Sequence, residues 1–334
     1  MGGSAGDWSG VDKCAPASRA ANMPNHRVRY SCVDALQDDL SQIGEFEFTQ
    51  SEPGPLDLAM MSTAIGGCLV RSSSTNRPLV CTGRRSPNHW TITPITPRCA
   101  DGRYRGARLD SGDLLLLDPA GEIFQCVQRG HSQNAISIPL PLAERIIQVE
   151  HHAQPEEIWS HWRVKSDPKN SLELDGMLRQ VLSAHVLVSG SAYSEDEFAG
   201  KVIALAQATE ESVAPRPTAV SSRRIVARAQ ELIHSRLDSP PTITDLCEVS
   251  FASRRALFYA FKALLGRSPH AHVKMLRLHA ARRRILRQRD RRCVQQVAYE
   301  LGFQHPGQFA IDYARTFGES PSETRERAGL ATGH

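Results

Sequence analysis

Short alternating runs of hydrophobic and polar residues occupy the first part of the chain, and a helical spacing of apolar residues occupies the rest. Between residues 45 and 140, runs such as HWTITPI and GDLLLLDP are separated by turn signals, among them Gly66-Gly67 and Asp101-Gly102. Many short strands at close spacing predict a small antiparallel barrel or sandwich. After Pro141 the spacing favours helices at 141–152, 156–163, 171–188 and 194–212.

Two segments have the composition of unstructured chain. Residues 1–28 are rich in Gly, Ser, Ala and Pro and predict a disordered tail. The stretch VAPRPTAVSS, 213–222, is polar with two prolines and predicts a linker. Between them, the predicted helix 171–188 has an apolar stripe for which dimerisation and packing on the neighbouring sheet both stay open. We therefore expect one domain over 29–212 and a second over 223–328.

The second domain is predicted to be entirely helical. Its helices are expected at 223–236, 243–249, 254–265, 269–286, 293–301, 306–317 and 321–327. Two stretches repeat one order of short helix, turn, aromatic-rich helix, Gly, one residue and Ser-Pro: LCEVSFASRRALFYAFKALLGRSP and VAYELGFQHPGQFAIDYARTFGESP. Each reads as a helix-turn-helix unit, and the helix 269–286 joins the two units.

Capping residues set the expected helix ends. Thr242 or Thr244 is the predicted N-cap of one short helix, and Ser253 is the predicted N-cap of the helix that follows. Gly266, Gly302 and Gly318 each follow a helical run and predict left-handed C-caps.

Charge is unevenly divided along the chain. The formal net charge is +4, yet residues 221–334 contain 20 Lys and Arg against 10 Asp and Glu. A basic half of this kind has the sign expected for a polyanionic partner. The run RRRILRQRDRR is expected near phosphates, although Arg282, Arg283, Arg284 and Arg287 span every side of their helix, so some of them must pair with acids.

Other classes of site find little support in the sequence. The eight cysteines form no zinc-finger spacing, and reduced thiols in a cytoplasmic protein are the simplest interpretation. The longest aliphatic run, Leu114–Leu117, is far too short to span a bilayer, so we expect no membrane partner. We predict no metal and no cofactor, because the one cluster of candidate ligands matches no standard set: His151, His152, Glu156, Glu157 and His161. Trp90, Phe124 and His131 are candidates to line a cavity.

Residues 223–328 resemble the AraC/XylS family of bacterial transcription regulators. The resemblance rests on SRRALFYAFKALLGRSP, RLHAARRRIL, VAYELGF and QFAIDYARTFGESPSE, and the last of these most resembles the branch that contains the ethanolamine-operon regulator EutR. It implies an α+β protein with a cupin-like antiparallel β-barrel and helices at the N-terminus, which bind an effector or dimerise. The C-terminal all-α domain would hold two helix-turn-helix units joined by a long helix.

The resemblance also implies which residues contact DNA. In the first unit the base-reading positions fall on Arg255, Phe258 and Tyr259, and the backbone-contacting positions on Arg254 and Lys262, after the cap Ser253. Arg255 has the geometry for guanine, whereas Phe258 and Tyr259 replace the polar residues usual in the family and suit thymine methyl groups. In the second unit the exposed early positions are Gln304, His305, Gly307, Gln308 and Ile311.

The expected function is therefore sequence-specific DNA binding in transcription regulation, as an activator. The expected partners are double-stranded promoter DNA, RNA polymerase, a second copy of the chain and a small-molecule effector, for which the branch implies ethanolamine with adenosylcobalamin. The alternative is an enzyme domain fused to a DNA-binding module. The only G-x-S-x-G match in the sequence, GGSAG at 2–6, lies in the predicted disordered tail and not between a strand and a helix. Because the chain also has no Gly-rich phosphate loop with Lys, we predict that it is not an enzyme.

Overall fold

The computed structural model describes residues 12–13, 26–41, 44–99, 102–150, 163–187, 194–207, 217–287 and 293–330. The strands are β1 (Asp12–Lys13), β2 (His26–Tyr30), β3 (Gly44–Gln50), β4 (Leu58–Ile65), β5 (Cys68–Thr75), β6 (Leu79–Arg85), β7 (His89–Pro94), β8 (Arg103–Tyr104), β9 (Ala107–Arg108), β10 (Asp113–Leu117), β11 (Glu122–Val127), β12 (Ser132–Pro139) and β13 (Arg163–Ser166). The helices are α1 (Val33–Leu40), α2 (Leu140–Glu150), α3 (Pro168–Leu187), α4 (Glu195–Gln207), α5 (Pro217–Ser235), α6 (Ile243–Ser250), α7 (Arg254–Leu265), α8 (Pro269–Arg287), α9 (Val294–Glu300), α10 (Pro306–Phe317) and α11 (Pro321–Leu330).

The described strands form two sheets that do not close into a barrel; the strand pattern left a barrel or a sandwich open, and the family resemblance implied a cupin-like barrel. Sheet A has the order β1-β2-β4-β5-β12-β7-β10-β13, and sheet B has the order β3-β6-β11-β8-β9. Apart from the parallel pair β1–β2, every pairing is antiparallel. Alternation along a strand shows that the strand has two faces. Which strands pair edge to edge depends on residues far apart in the chain, so the sequence did not determine whether the sheet closes into a barrel.

Helices cover the outer face of sheet A. Leu174, Leu178, Val181 and Leu182 of α3 are buried in one core with Trp90, Ile92, Leu114 and residues of α2 and α4. The apolar stripe of α3 is therefore used in packing on the sheet, the second of the two interpretations left open. The buried Trp90 belongs to this core and lines neither of the two cavities that lie between the sheets of the described residues.

Two predictions from the first part of the chain differ from the structure, and a third falls mostly outside the described residues. Of the predicted tail, Asp12–Lys13 and the residues from His26 onward lie in β1 and β2, and the other residues lie outside the described part. Most of the predicted helix 156–163, and the histidine and glutamate cluster around it, also lie outside that part; Arg163 begins β13. The predicted linker overlaps α5, because Pro217 opens that helix at a position where proline fits well.

The C-terminal helices follow the sequence prediction closely. Thr242 caps α6 in a capping box with Asp245, and the Ser253 hydroxyl accepts a hydrogen bond from the Ala256 amide at the start of α7. Gly266 and Gly318 end α7 and α10 with φ of 69° and 78°, both left-handed. These local interactions explain why the helix bounds could be read from the sequence.

The turn of the first helix-turn-helix unit contains a strained residue. Phe251 caps α6 with φ 52° and ψ 42°, whereas the corresponding turn of the second unit uses Gly302 with φ 71°. The Phe251 ring is 84% exposed and lies 5.0 Å from the Arg228 guanidinium carbon. A side chain with a Cβ pays a conformational penalty in this region of the backbone that glycine avoids.

We expect Phe251→Gly to have a free energy of unfolding about 1 kcal/mol higher than Phe251→Ala, because both variants lose the stacked ring and only alanine keeps the strained Cβ. Urea unfolding of the two variants measures the difference. Equal stabilities would contradict the left-handed conformation assigned to this turn.

The helical domain packs on the outer face of sheet B. Val80, Phe124 and Cys126 share a core with Leu257, Phe261 and Leu264 of α7, and the Cys126 thiol donates to the Leu264 carbonyl over 3.0 Å. Phe124 therefore faces the helical domain instead of lining a cavity, because alternation along β11 turns its neighbours Ile123 and Gln125 inward.

Polar contacts join the same two domains. Arg267 donates to the Gln50 carbonyl over 3.2 Å, and the His234 ring lies 3.2 Å from the Glu47 carboxylate. The hydrogen bond with Glu47 raises the pKa of His234 above its usual value. By contrast, burial lowers the pKa of His279 well below its usual value, and this neutral ring accepts the Gln50 amide over 3.4 Å.

Candidate nucleic-acid interface

The solvent face of α7 carries the cationic residues that the sequence assigned to DNA. Leu257, Phe261 and Leu264 are buried on one side of the helix, and this fixes which side faces outward. Arg254, Arg255, Tyr259 and Lys262 are exposed on that outward side, and Tyr259 is 65% accessible. Neither Arg254 nor Arg255 forms an ion pair with any described residue. Their charges are therefore available to a polyanion.

Packing orients part of this face. The Arg254 guanidinium carbon lies 5.6 Å from the centre of the Phe258 ring, whose other neighbour is the His270 ring at 6.3 Å. Phe258 is half-buried, whereas Tyr259 is exposed. Lys262 donates to the Gly266 carbonyl over 3.0 Å, which holds its ammonium group near the end of α7. The hydroxyl of Ser253 is engaged as the helix cap.

The second unit presents a face with little charge. Gln304, His305, Gly307, Gln308 and Ile311 are all exposed at the start of α10, and Ile311 is 63% accessible. Phe303, Phe309, Tyr313 and Phe317 form a continuous aromatic stack behind them, with ring centres 4.6–5.6 Å apart. The stack fixes the orientation of α10, so the exposed polar residues lie on a rigid support.

The linking helix α8 belongs to both units. Val273 and Leu276 in its first half pack into the core of the first unit, and Leu278, Ala281 and Ile285 pack into the core of the second. Its 19 residues span roughly 28 Å at 1.5 Å per residue. The helix is thus a stiff connection between α7 and α10.

The arginines of α8 are used inside the protein. The sequence placed the run RRRILRQRDRR near phosphates, but the four described arginines of that run after Ala281 all pair with carboxylates: Arg282 with Glu319, Arg283 with Asp34, Arg284 with Glu300 and Arg287 with Asp38. Asp34 and Asp38 belong to α1, 249 residues away in the chain from their partners. No local sequence pattern reports such contacts, so the sequence could not identify them.

We expect Arg287→Ala to leave the salt dependence of DNA binding unchanged, because Asp38 already holds this guanidinium at 3.4 Å. The matched control is Arg254→Ala, which should lower the slope of log K against log salt by about 0.9 if Arg254 contacts one phosphate. Binding titrations at several salt concentrations measure both slopes. A loss of about 0.9 for Arg287→Ala would show that its pair with Asp38 opens on DNA.

The two helix-turn-helix units match a known family of proteins. A family model described as a helix-turn-helix domain matches residues 246–327, so both units fall within it. The C-terminal part of this chain is thus similar to AraC/XylS-type regulators. The "Probable thc operon regulatory protein" of Rhodococcus erythropolis is 34% identical over 100 residues, 30% of each chain. The "XylDLEGF operon transcriptional activator 3" of Pseudomonas putida is 32% identical over 101 residues, again 30% of each chain.

Longer matches are weaker. The "HTH-type transcriptional activator RhaR" of Klebsiella pneumoniae is 27% identical over 180 residues, which cover 51% of this chain and 59% of that protein. Among solved structures, a probable AraC family regulator from Rhodopseudomonas palustris is 36% identical, with a TM-score of 0.30, and covers 31% of this chain and 96% of its own. The first relatives are thus matched over 30% of their length, within the AraC/XylS-type domain.

Within the described residues, no group of three or more His, Cys, Asp or Glu residues is arranged to hold a metal ion. Every helix of the described ranges is too short or too polar to cross a membrane.

Proposed function

We propose that this chain is a sequence-specific transcription activator that responds to a small molecule. The observation that carries the proposal is the outward face of α7, where Arg254 and Arg255 stand exposed on the second helix of a helix-turn-helix unit and pair with no described carboxylate. In such units the N-terminal end of this helix enters the major groove. Relatives of the matched domain are named as activators or operon regulators, which favours a regulator over an enzyme fused to a DNA-binding module.

The two units would bind adjacent major grooves on one side of the duplex. The roughly 28 Å length of α8 is close to the roughly 34 Å between successive groove faces. In this arrangement Arg255 reads guanine, and Tyr259 packs on a thymine methyl group. Arg254 and Lys262 neutralise phosphates. On α10, Gln304, His305, Gly307 and Gln308 contact the backbone, and Ile311 offers a further thymine contact.

The N-terminal part, 29–212, would bind the effector and form a homodimer. Sheet B supports the effector-binding part of this proposal, because it lies between a cavity and the helical domain. Phe46, Phe48 and Cys81 line a cavity on the inner face, while Val80 and Phe124 pack against the helical domain on the outer face. A ligand that displaces the inner side chains can therefore shift the position of α7 through a single layer of strands.

The DNA-bound dimer would then position RNA polymerase at a promoter in the cytoplasm. The experiment that tests the function is a genome-wide DNA pull-down with the purified full-length protein, with and without metabolites from a cell extract. Enrichment of one or a few promoters, altered by the metabolites, is the expected result. Uniform enrichment would reduce the helical domain to a non-specific anchor and contradict the proposal.

A further inference from the structure

Two connected cavities lie between sheets A and B. The larger, about 180 Å³, is bounded by β4, β5 and β12 of sheet A, by β3, β6 and β11 of sheet B, and by α1. The smaller cavity, about 90 Å³, lies beside the larger one, and four residues are in the walls of both: Arg71, Arg85, Gln133 and Ala135. The arginines therefore stand where the two cavities meet.

The two cavities differ in chemistry. Much of the larger one is apolar, with Phe46, Phe48, Leu58, Met60 and Ile123 in its wall. The smaller one is polar, with His89, Thr91, Thr93 and Ser137 in its wall. A molecule that fills both must have an apolar body and a polar head, with the head beside Arg71 and Arg85.

The polar end contains buried hydrogen-bonding atoms without partners. The Nε and Nη2 of Arg71, the Nε of Arg85, the Nδ1 of His89 and the Oγ1 of Thr93 are all buried and bonded to no described residue. Neither arginine forms an ion pair with a described carboxylate, and the positive charge of Arg85 acts on Arg71. Two neighbouring, partly buried cations without a described acid are costly, and an anion between them would reduce that cost.

Arg71 keeps its charge in this setting. Burial lowers the pKa of its guanidinium to about 10, still well above neutral pH. Its planar array of donors matches the two oxygens of a carboxylate. Ethanolamine, the effector suggested by the branch resemblance, is a cation and would be repelled here.

We propose that the ligand of this cavity is a small carboxylate with a compact apolar body, its carboxylate held between Arg71 and Arg85. This deepens the proposed function, on which it rests for its regulatory meaning. A dry cavity of about 150 Å³ holds a benzene molecule, so the larger cavity has room for an apolar body of about six carbon atoms. The apolar body lies against Met60 of sheet A and against Phe46 and Phe48 of sheet B, the sheet that carries the helical domain on its other face.

The test is calorimetric titration of the full-length protein with straight-chain carboxylates from propanoate to dodecanoate. Hexan-1-ol and hexylamine are the neutral and cationic controls. We expect one site per chain and strongest binding near hexanoate or octanoate. We also expect binding of hexanol and hexylamine to be weaker by about tenfold or more, because they lack the charge-assisted hydrogen bonds.

Variants locate the site. Arg71→Met keeps an unbranched side chain and removes the charge, so hexanoate binding should fall at least about tenfold. Arg84→Met is the matched control, because Arg84 is exposed beside Arg85 on β6, and it should bind within about twofold of the parent. Met60→Trp fills the apolar part and should also abolish binding while both arginines stay in place.

The outcomes separate this proposal from the function it rests on. If no carboxylate of the series binds, or if Arg71→Met binds as tightly as the parent, the ligand assignment is overturned. Equal binding of hexanol and hexanoate would overturn the role of the arginines. Promoter binding measured on the same preparations decides the regulatory function independently, since a protein that binds its promoter but no carboxylate remains a DNA-binding regulator.

Discussion

Glu319→Gln is expected to lower the free energy of unfolding of the full chain by about 3 kcal/mol. Glu319 lies 2.8 Å from the Arg282 guanidinium, whose side chain is only 3% exposed, and this pair ties α8 to the start of α11. Glutamine keeps the oxygen that accepts the Thr324 hydroxyl and removes only the charge. This loss of stability is at the low end of the range for breaking a buried ion pair, because the charge of Arg282 is also attracted by the Asp34 carboxylate. Urea unfolding followed by circular dichroism measures the loss.

Two further variants test the cause of this loss. Arg327 also contacts Glu319, at 2.6 Å, but it is 44% exposed, so Arg327→Met should cost less than about 1 kcal/mol. The double variant Arg282→Met with Glu319→Leu should recover most of the stability, because it leaves neither member of this pair as a buried charge without its partner. If Glu319→Gln costs no more than Arg327→Met, the Arg282–Glu319 pair is not the structural ion pair described here.

Arg255→Ala is expected to weaken binding to the specific promoter by about 1–3 kcal/mol, roughly 5- to 150-fold, and to relax the preference at one base pair. The physical reason is the loss of a bidentate contact with guanine, which an exposed and unpaired guanidinium at the start of α7 is placed to make. Fluorescence anisotropy with the enriched promoter and with a scrambled duplex, at one fixed salt concentration, measures the effect.

The matched control for Arg255 is Lys262→Ala on the same face. This variant should lower the affinity for the specific and the scrambled duplex by similar factors, because a phosphate contact carries no sequence information. A loss of affinity for Arg255→Ala that is equal on both duplexes would make Arg255 a phosphate contact as well and would contradict its assignment as a base-reading residue.

The helical domain was predictable because its determinants are local. The capping box of Thr242, the cap Ser253 and the left-handed Gly266 and Gly318 each act within a few residues, and the predicted ends of α7 and α10 coincide with the observed ones. The exposure of the expected DNA-binding residues also followed from the apolar stripes, since fixing the buried face of a helix fixes the opposite one. Their contact with bases stays a prediction.

The contacts between the domains were not predictable from the sequence. Alternation along β11 correctly places Phe124 on the opposite face from Ile123 and Gln125. Because both faces of sheet B are covered, the alternation cannot show which face lines the cavity and which packs against the helical domain. Thus Phe124, expected at a cavity, faces α7, while His131 does line the larger cavity. Likewise, the partners of Arg283 and Arg287 lie on α1, and no short-range pattern links them.

Sequence-specific recognition of DNA is tested most directly by selection from a random duplex pool with the purified protein. We expect enrichment of one motif with two elements about one helical turn apart, matching the two units joined by α8. In Arg255→Ala we expect the preference at one position of the first element to be lost. A pool that binds without enrichment of any motif would contradict sequence-specific recognition and leave only electrostatic attraction between the basic domain and DNA.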